Sequence, residues 1–338
     1  MTRTVVLAGC PSAVAVTESL LAAGIPISEI VTAGPDAADT VRHAPMTSTI
    51  SHRRCPGAMH PDADPLPIRA DLVVSVFTPV PPLAEPMDTA PVVHVGTTRS
   101  PTVPTDPVAE AILSGAQTLP VVTQLAAQGR TIRSQRADLA TTGTSLDVAK
   151  KIAEVVGQIL EGDELTTGPG LSVAHESASP PDFATPSTHV VPWPEAWDEV
   201  DWSRPADIVH RTIRAATLPG RGAWTWFDGT RLGLHRCTKI ETTVFGAPTG
   251  TVLGHTGDGL IVQTGSGSVC VEGFRDVLGP FEASTIPNGI RLGRDSSNEL
   301  AALTRRLQDL ERLVLTMVGN ADLLRTRDTP YLPRTFDQ

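Results

Sequence analysis

Lysine is nearly missing from this chain of 338 residues. It occurs three times, at Lys150, Lys151 and Lys239, and the formal net charge is −10. Proteins that hold a polyanion draw most of their affinity from clustered Lys and Arg, so nucleic acid is disfavoured as a partner and only a local arginine patch is left for it. No apolar run approaches the ~20 residues needed to span a bilayer. The start, MTRTVVLAGCPSAVAV, lacks the charged region, long apolar core and cleavage site of a secretory signal. A cytoplasmic protein is expected. The four cysteines, Cys10, Cys55, Cys237 and Cys270, have no CxxC spacing and read as reduced thiols. Aromatic residues are scarce, and the tryptophans concentrate between Trp193 and Trp226, which points to a packed junction there.

What is present is a β-α-β rhythm. TVVLAG (Thr4 to Gly9) is a short apolar run ending in glycine, as a buried parallel strand does. SAVAVTESLLAAG places Val14, Leu20 and Leu21 at helical spacing, with Ser12 as N-cap and Gly24 as stop. SEIVTAG is a second strand, and the alternation predicts a doubly wound α/β sheet. Residues 35–70 break the rhythm with several prolines and no clear period. Their His43, His52, Cys55 and His60 are metal-capable side chains, but the irregular spacing favours a surface loop over a zinc site. The sheet resumes at ADLVVSVF and PVVHVG. DPVAEAILSG reads as a helix, QTLPVVTQLAAQG holds a strand, and SLDVAKKIAEVVGQILEG is a strongly periodic helix.

A Pro/Ser/Thr-rich stretch follows and reads as a linker. PADIVHRTIRAA is then a short helix, and AWTWFDGTRLGLHRC a hairpin turning on Asp228-Gly229. Further short strands broken by Gly and Asp predict a small barrel. The last helix opens with a capping box, Ser296 and Glu299. It sets Leu300, Leu303, Leu307, Leu310, Val314 and Met317 on a seam of period 3.5. That seam either packs on its own domain or, over residues 297–318, joins two copies in a homodimer.

The order of motifs carries a resemblance. Val200-Asp201-Trp202, then Ile213-Arg214-Ala215, then Pro219-Gly220-Arg221-Gly222-Ala223-Trp224 resemble the opening of the C-terminal domain of the methionyl-tRNA formyltransferase family. VVLAGCPSAVAVTESLLAAG, ADLVVSVFTPVPPL and HVGTTRSPTVPTDPVAEAILSG resemble, more loosely, that family's first strand and turn, its folate-lining strand and loop, and its catalytic histidine with the loop beyond. The resemblance implies a Rossmann-like, mostly parallel formyltransferase domain at 1–165 and an OB-like β-barrel domain at 197–290; composition sets a linker at 166–196 between them, and the heptad pattern a C-terminal helix at 294–320, outside the resemblance. The resemblance also implies 10-formyltetrahydrofolate as cofactor and an amine acceptor.

Formyl transfer to an amine passes through an oxyanion, so the site needs a donor for that oxygen and a base for the amine proton. The family supplies an Asn two residues before the His, the His, and a later Asp. The histidine matches His94. The Asn position is Val92, the Asp stretch aligns with AAQGRTIRSQ (candidates Ala127 and Thr131), and no carboxylate stands between Glu110 and Asp138. The expected catalytic residues are therefore His94, Asp138 and Thr131. The expected substrate- or cofactor-binding residues are Gly9, Pro11, Phe77, Thr78, Val80, Thr97, Thr98, Arg99 and Asp106; no metal is expected. Asp106 and Glu110 also fit an exposed first helical turn, where acidic groups favour the helix dipole. Three functions remain open. The first is a divergent transferase carrying a formyl or other one-carbon group to a small amine-bearing metabolite. The second is a catalytically inactive homologue that binds or regulates. The third, methionyl-tRNA formylation, is disfavoured by the scarcity of lysine.

Overall fold

The computed structural model describes residues 3–32, 35–55, 70–78, 90–97, 106–127, 130–160, 198–219, 222–240, 246–276, 279–294, 304 and 307–312. In the first half, β1 (Thr4–Ala8), β2 (Glu29–Thr32), β3 (Ser51–Arg54), β4 (Leu72–Val76) and β5 (Val92–Thr97) alternate with α1 (Pro11–Ala22) and α2 (Pro35–His43). Beyond them come α3 (Pro107–Leu113), β6 (Thr118–Ala127), β7 (Arg130–Ala140) and α4 (Ser145–Leu160). The strands form one seven-stranded sheet in the order β3-β2-β1-β4-β5-β6-β7. From β3 to β5 the pairs are parallel; β6 and β7 are added antiparallel. The strand order reverses between β1 and β4, and the carboxyl ends there form the crevice where such sheets hold ligands.

Alternate residues of the strands divide the sheet's two faces. One face (Val6, Ala8, Ile30, Val74, Val76, Val93, Val95, Val121) packs with Val14 and Leu20 of α1, Ile112 of α3, and Ile152, Val156 and Ile159 of α4. Val5, Leu7, Val31 and Val73 on the other face are also buried. Buried runs with no polar alternation are what a doubly covered parallel sheet requires.

Residues 35–54 are not the irregular stretch the sequence predicts. Ala37 and Val41 bury one face of α2 at helical spacing, with Ala44 buried just past its end, and β3 pairs with β2 at the sheet edge. The sequence SHRR has no apolar signature. It is held by the ladder and by Arg53, 3.0 Å from the buried Glu29 carboxylate, which Arg3 also meets at 3.2 Å. Nor does Ser12 cap α1: the helix starts at Pro11 with Cys10 in the capping position. Among the described residues no group of three or more metal-capable side chains forms. His52 instead contacts the Thr32 hydroxyl at 2.9 Å; His60 lies outside the described residues. No helix among the described residues is long and apolar enough to cross a membrane.

In the second half, α5 (Ala206–Ala216) precedes β8 (Ala223–Phe227), β9 (Thr230–Leu234), β10 (Arg236–Ile240), β11 (Val252–Thr256), β12 (Gly259–Gln263), β13 (Ser268–Glu272), β14 (Arg275–Asp276) and β15 (Gly279–Pro280). Where a barrel is predicted, the described strands pair as two four-stranded sheets, β10-β13-β12-β11 and β15-β14-β9-β8. They share one core with Val209 and Ile213 of α5. Asp228 and Gly229 have φ of 48° and 71°, the two left-handed residues of a type I′ hairpin turn.

The motif Ile213-Arg214-Ala215 has a clear structural reason. Ile213 is fully buried in the second core, while Ala215 packs in the first. Arg214 between them donates from Nε and Nη2 to the Gly143 carbonyl at 2.9 and 2.7 Å, and from Nη2 to the Thr141 carbonyl. Ser145 Oγ donates to the Ala215 carbonyl at 2.7 Å. One guanidinium thus ties α5 to the turn between β7 and α4. The predicted linker at 166–196 lies outside the described residues. Of the predicted C-terminal helix, Thr304 and Leu307–Arg312 are described and helical, with Leu307 and Leu310 exposed.

Candidate active site

At the carboxyl ends of β1 and β4 the backbone is tightly constrained. Phe77 has φ of 53°, a left-handed conformation that a bulky side chain adopts only under strain and that clusters at functional sites. Its N–H donates to the Val95 carbonyl at 2.9 Å, and Ser75 Oγ donates to the Thr78 carbonyl at 2.6 Å. Gly9 lies against this turn. A Cβ at Gly9 would stand 2.5 Å from the Phe77 carbonyl oxygen and 2.9 Å from Thr78 Cβ. Glycine is therefore required by the close approach of the two strand exits. The structure brings Gly9 against Phe77 and Thr78, with Pro11 two residues on at the start of α1.

His94 stands beside this turn, within β5 rather than at its exit. It is opposite Ser75 of β4 and Gln124 of β6. Directly paired residues share a sheet face, so Ser75, His94 and Gln124 form a polar row across β4, β5 and β6. Burial pushes the imidazole pKa down to about 4, so His94 is neutral near pH 7. A neutral imidazole can accept a proton, weakly at this pKa, or donate its N–H to a developing oxyanion. Thr97 ends the strand, opposite Val121; Val80, Thr98 and Arg99 lie outside the described residues.

The other expected catalytic residues are not assembled with His94. Asp138 pairs with Pro120, whereas the β7 residue in line with His94 is Ser134. Two strand spacings and four residues of rise put Asp138 ~17 Å from His94 by backbone register. Its carboxylate is exposed and lies 3.7 Å from Arg136. Thr131 pairs with Ala126, level with Val92, at the opposite end of β7.

Asp106 is neither an exposed first-turn acid nor open to a ligand. It is fully buried at the N-cap of α3. Oδ1 accepts from Val108 N and Ala109 N at 3.1 Å each, and Oδ2 from Ser12 N at 2.8 Å. One carboxylate clips the N-termini of α1 and α3 together, with the Cys10 thiol beside it. Burial pushes its pKa up, against the pull of those donors. Glu110, one turn on, is partly buried.

A cleft of about 780 Å³ opens elsewhere, between Leu113 of α3, Ile208 of α5 and the Asp201–Arg204 turn. Its cations are engaged: Arg294 with Glu199 at 2.9 Å, Arg204 with Asp201 at 3.3 Å, and Arg291 with the Thr249 carbonyl at 2.9 Å. None of the expected site residues lines it.

Residues 194–276 match the formyl transferase C-terminal domain family. The match is confined to that segment, about a quarter of the chain. A methionyl-tRNA formyltransferase of Cereibacter sphaeroides is 38% identical over 98 residues, 29% of this chain and 30% of that protein. One of Treponema pallidum is 43% identical over 68 residues, 20% of this chain and 21% of that protein. The matched span is thus under a third of these relatives. Among solved structures, HypX from Aquifex aeolicus in complex with tetrahydrofolic acid aligns with 82% of this chain and 44% of its own, at 15% identity and TM-score 0.43. A 4-N formyltransferase from Francisella tularensis aligns with 66% of this chain and 91% of its own, at 10% identity and TM-score 0.32.

One polar residue of the row escapes sequence reasoning. Gln124 is 7% exposed, and its Nε2 has no hydrogen-bond partner. In the sequence it is one polar residue in an alternating strand. Only the antiparallel register, which sets it across from His94, singles it out.

Proposed function

We propose that this chain is a formyltransferase-fold transferase that moves a formyl group from 10-formyltetrahydrofolate to a small amine-bearing metabolite. The observation that carries the reading is the neutral His94 in a polar row beside the strained Phe77 turn, at the point where the strand order reverses. One feature fits a folate-type donor: the unpartnered amide of Gln124. Gly9, Pro11, Phe77, Thr78 and Thr97 would hold that donor, which supplies a formyl carbonyl carbon open to attack. His94 meets the reacting centre uncharged, so it can take up the amine proton or donate to the carbonyl oxygen. The buried sheet face keeps water from competing for these hydrogen bonds. The acceptor is taken as a metabolite because three lysines in an acidic chain offer little to transfer RNA.

Purified protein given 10-formyltetrahydrofolate and a panel of small amines should release tetrahydrofolate; silence across the panel removes the transfer reading. A second reading, ligand binding without turnover, is favoured by the apolar Val92 and by the distance of Asp138 and Thr131 from His94. His94→Ala separates the two: an activity that survives it intact does not use the imidazole as a catalyst.

A further inference from the structure

We infer that the Gln124 side-chain amide is the oxyanion donor of this site, contributed from the antiparallel strand β6 instead of from β5. The inference rests on the formyl-donor reading and adds the group that reading lacks. Two residues before His94 stands Val92, and its partner across the ladder is Ala126; neither carries a polar side-chain atom. His94 has two lateral neighbours. The Ser75 hydroxyl proton is committed to the Thr78 carbonyl at 2.6 Å. That leaves Gln124, directly opposite His94 in the antiparallel pair, where facing Cβ atoms stand ~5 Å apart.

Its amide is buried and its Nε2 has no partner. A buried donor without an acceptor is costly and calls for an explanation. A ligand oxygen arriving beside His94 supplies one. The amide carries no charge, so it does not alter the charge of the neutral site before binding. It donates to an oxygen and exchanges no proton, and its hydrogen bond strengthens as negative charge gathers there. The proton and leaving-group traffic of the transfer stays with the amine, the imidazole and the folate nitrogen.

Binding, not turnover, tests this. A hydrolysis-resistant 10-formyl deazafolate and its deformylated counterpart are titrated into the wild-type full chain and into Gln124→Leu. Wild type should favour the formylated ligand about tenfold, the loss expected for one hydrogen bond of ~1.4 kcal/mol. Gln124→Leu should bring the two affinities within about twofold of each other. The Tm of Gln124→Leu should stay level or rise, since an unsatisfied buried amide is replaced by hydrocarbon; a merely structural glutamine would lower Tm and leave the preference unchanged. A preference that persists in Gln124→Leu overturns the role of Gln124 alone. A wild-type protein that binds neither ligand overturns the donor reading, and this inference with it.

Discussion

Replacing Asp106 should loosen the junction on which the candidate site is built. The carboxylate accepts three backbone N–H bonds, from Ser12 at 2.8 Å and from Val108 and Ala109 at 3.1 Å each. Asp106→Ala strands all three donors in a buried place. Each orphan costs ~1–3 kcal/mol, partly offset because no charge need then be desolvated, for a net loss of ~3–5 kcal/mol. Asp106→Asn keeps Oδ1 for Val108 and Ala109 but turns its NH2 toward the Ser12 N–H, a loss of ~1–2 kcal/mol. Urea unfolding followed by far-UV circular dichroism measures both.

The pH dependence has a definite sign. Burial raises the folded carboxyl above its ordinary value, so the folded state binds the Asp106 proton more readily than the unfolded state. The stability contributed by this group is greatest below the unfolded pKa and falls as pH rises through the folded one. Asp106→Asn should lack that component. A cost below ~1 kcal/mol for Asp106→Ala would refute the clip.

Three further outcomes follow from the same geometry. Arg214→Ala removes the bonds to the Thr141 and Gly143 carbonyls, at ~1.5–3 kcal/mol for charged hydrogen bonds. All five tryptophans lie at or beyond Trp193, so fluorescence reports the second half alone, and its unfolding curve should separate from the dichroism curve in this variant. Gly9→Ala drives a methyl to 2.5 Å from the Phe77 carbonyl; it should lower stability by ~1–3 kcal/mol and weaken deazafolate binding, read by calorimetry. His94 should titrate near pH 4 by NMR. Its folded pKa lies below the unfolded value, so stability is full above pH ~6.5 and is lost as pH falls toward 4, by at most ~3 kcal/mol. His94→Gln should flatten that slope in urea titrations taken across the window.

Elements whose signal is carried by their own side chains were legible in the sequence. The apolar runs of β1, β2, β4 and β5 announce buried parallel strands. The periodicity of α4 survives burial, and Asp228-Gly229 names its turn because both residues must take positive φ. Elements held by a neighbour were not legible. β3 is polar and exists because β2 offers an edge and Glu29 offers a counter-charge. β7, RTIRSQRADLA, is a charged edge strand of the kind that resists edge-to-edge pairing. The candidate site divides the same way. Gly9 and the Phe77–Thr78 segment were named through the resemblance, but their close approach depends on which strand lies beside β1. Asp106 could not, because its burial depends on α1 arriving against α3. Gln124 gains meaning only from a ladder register that fixes which residue faces His94.

The central claim is that this chain transfers a formyl group at His94. Incubation with 10-formyltetrahydrofolate carrying a carbon-13 formyl carbon, a panel of amines and mass-spectrometric detection tests it most directly. The account predicts labelled formamide product with wild type and its loss in His94→Ala. Label that reaches only formate, or product formed equally by both proteins, would contradict it.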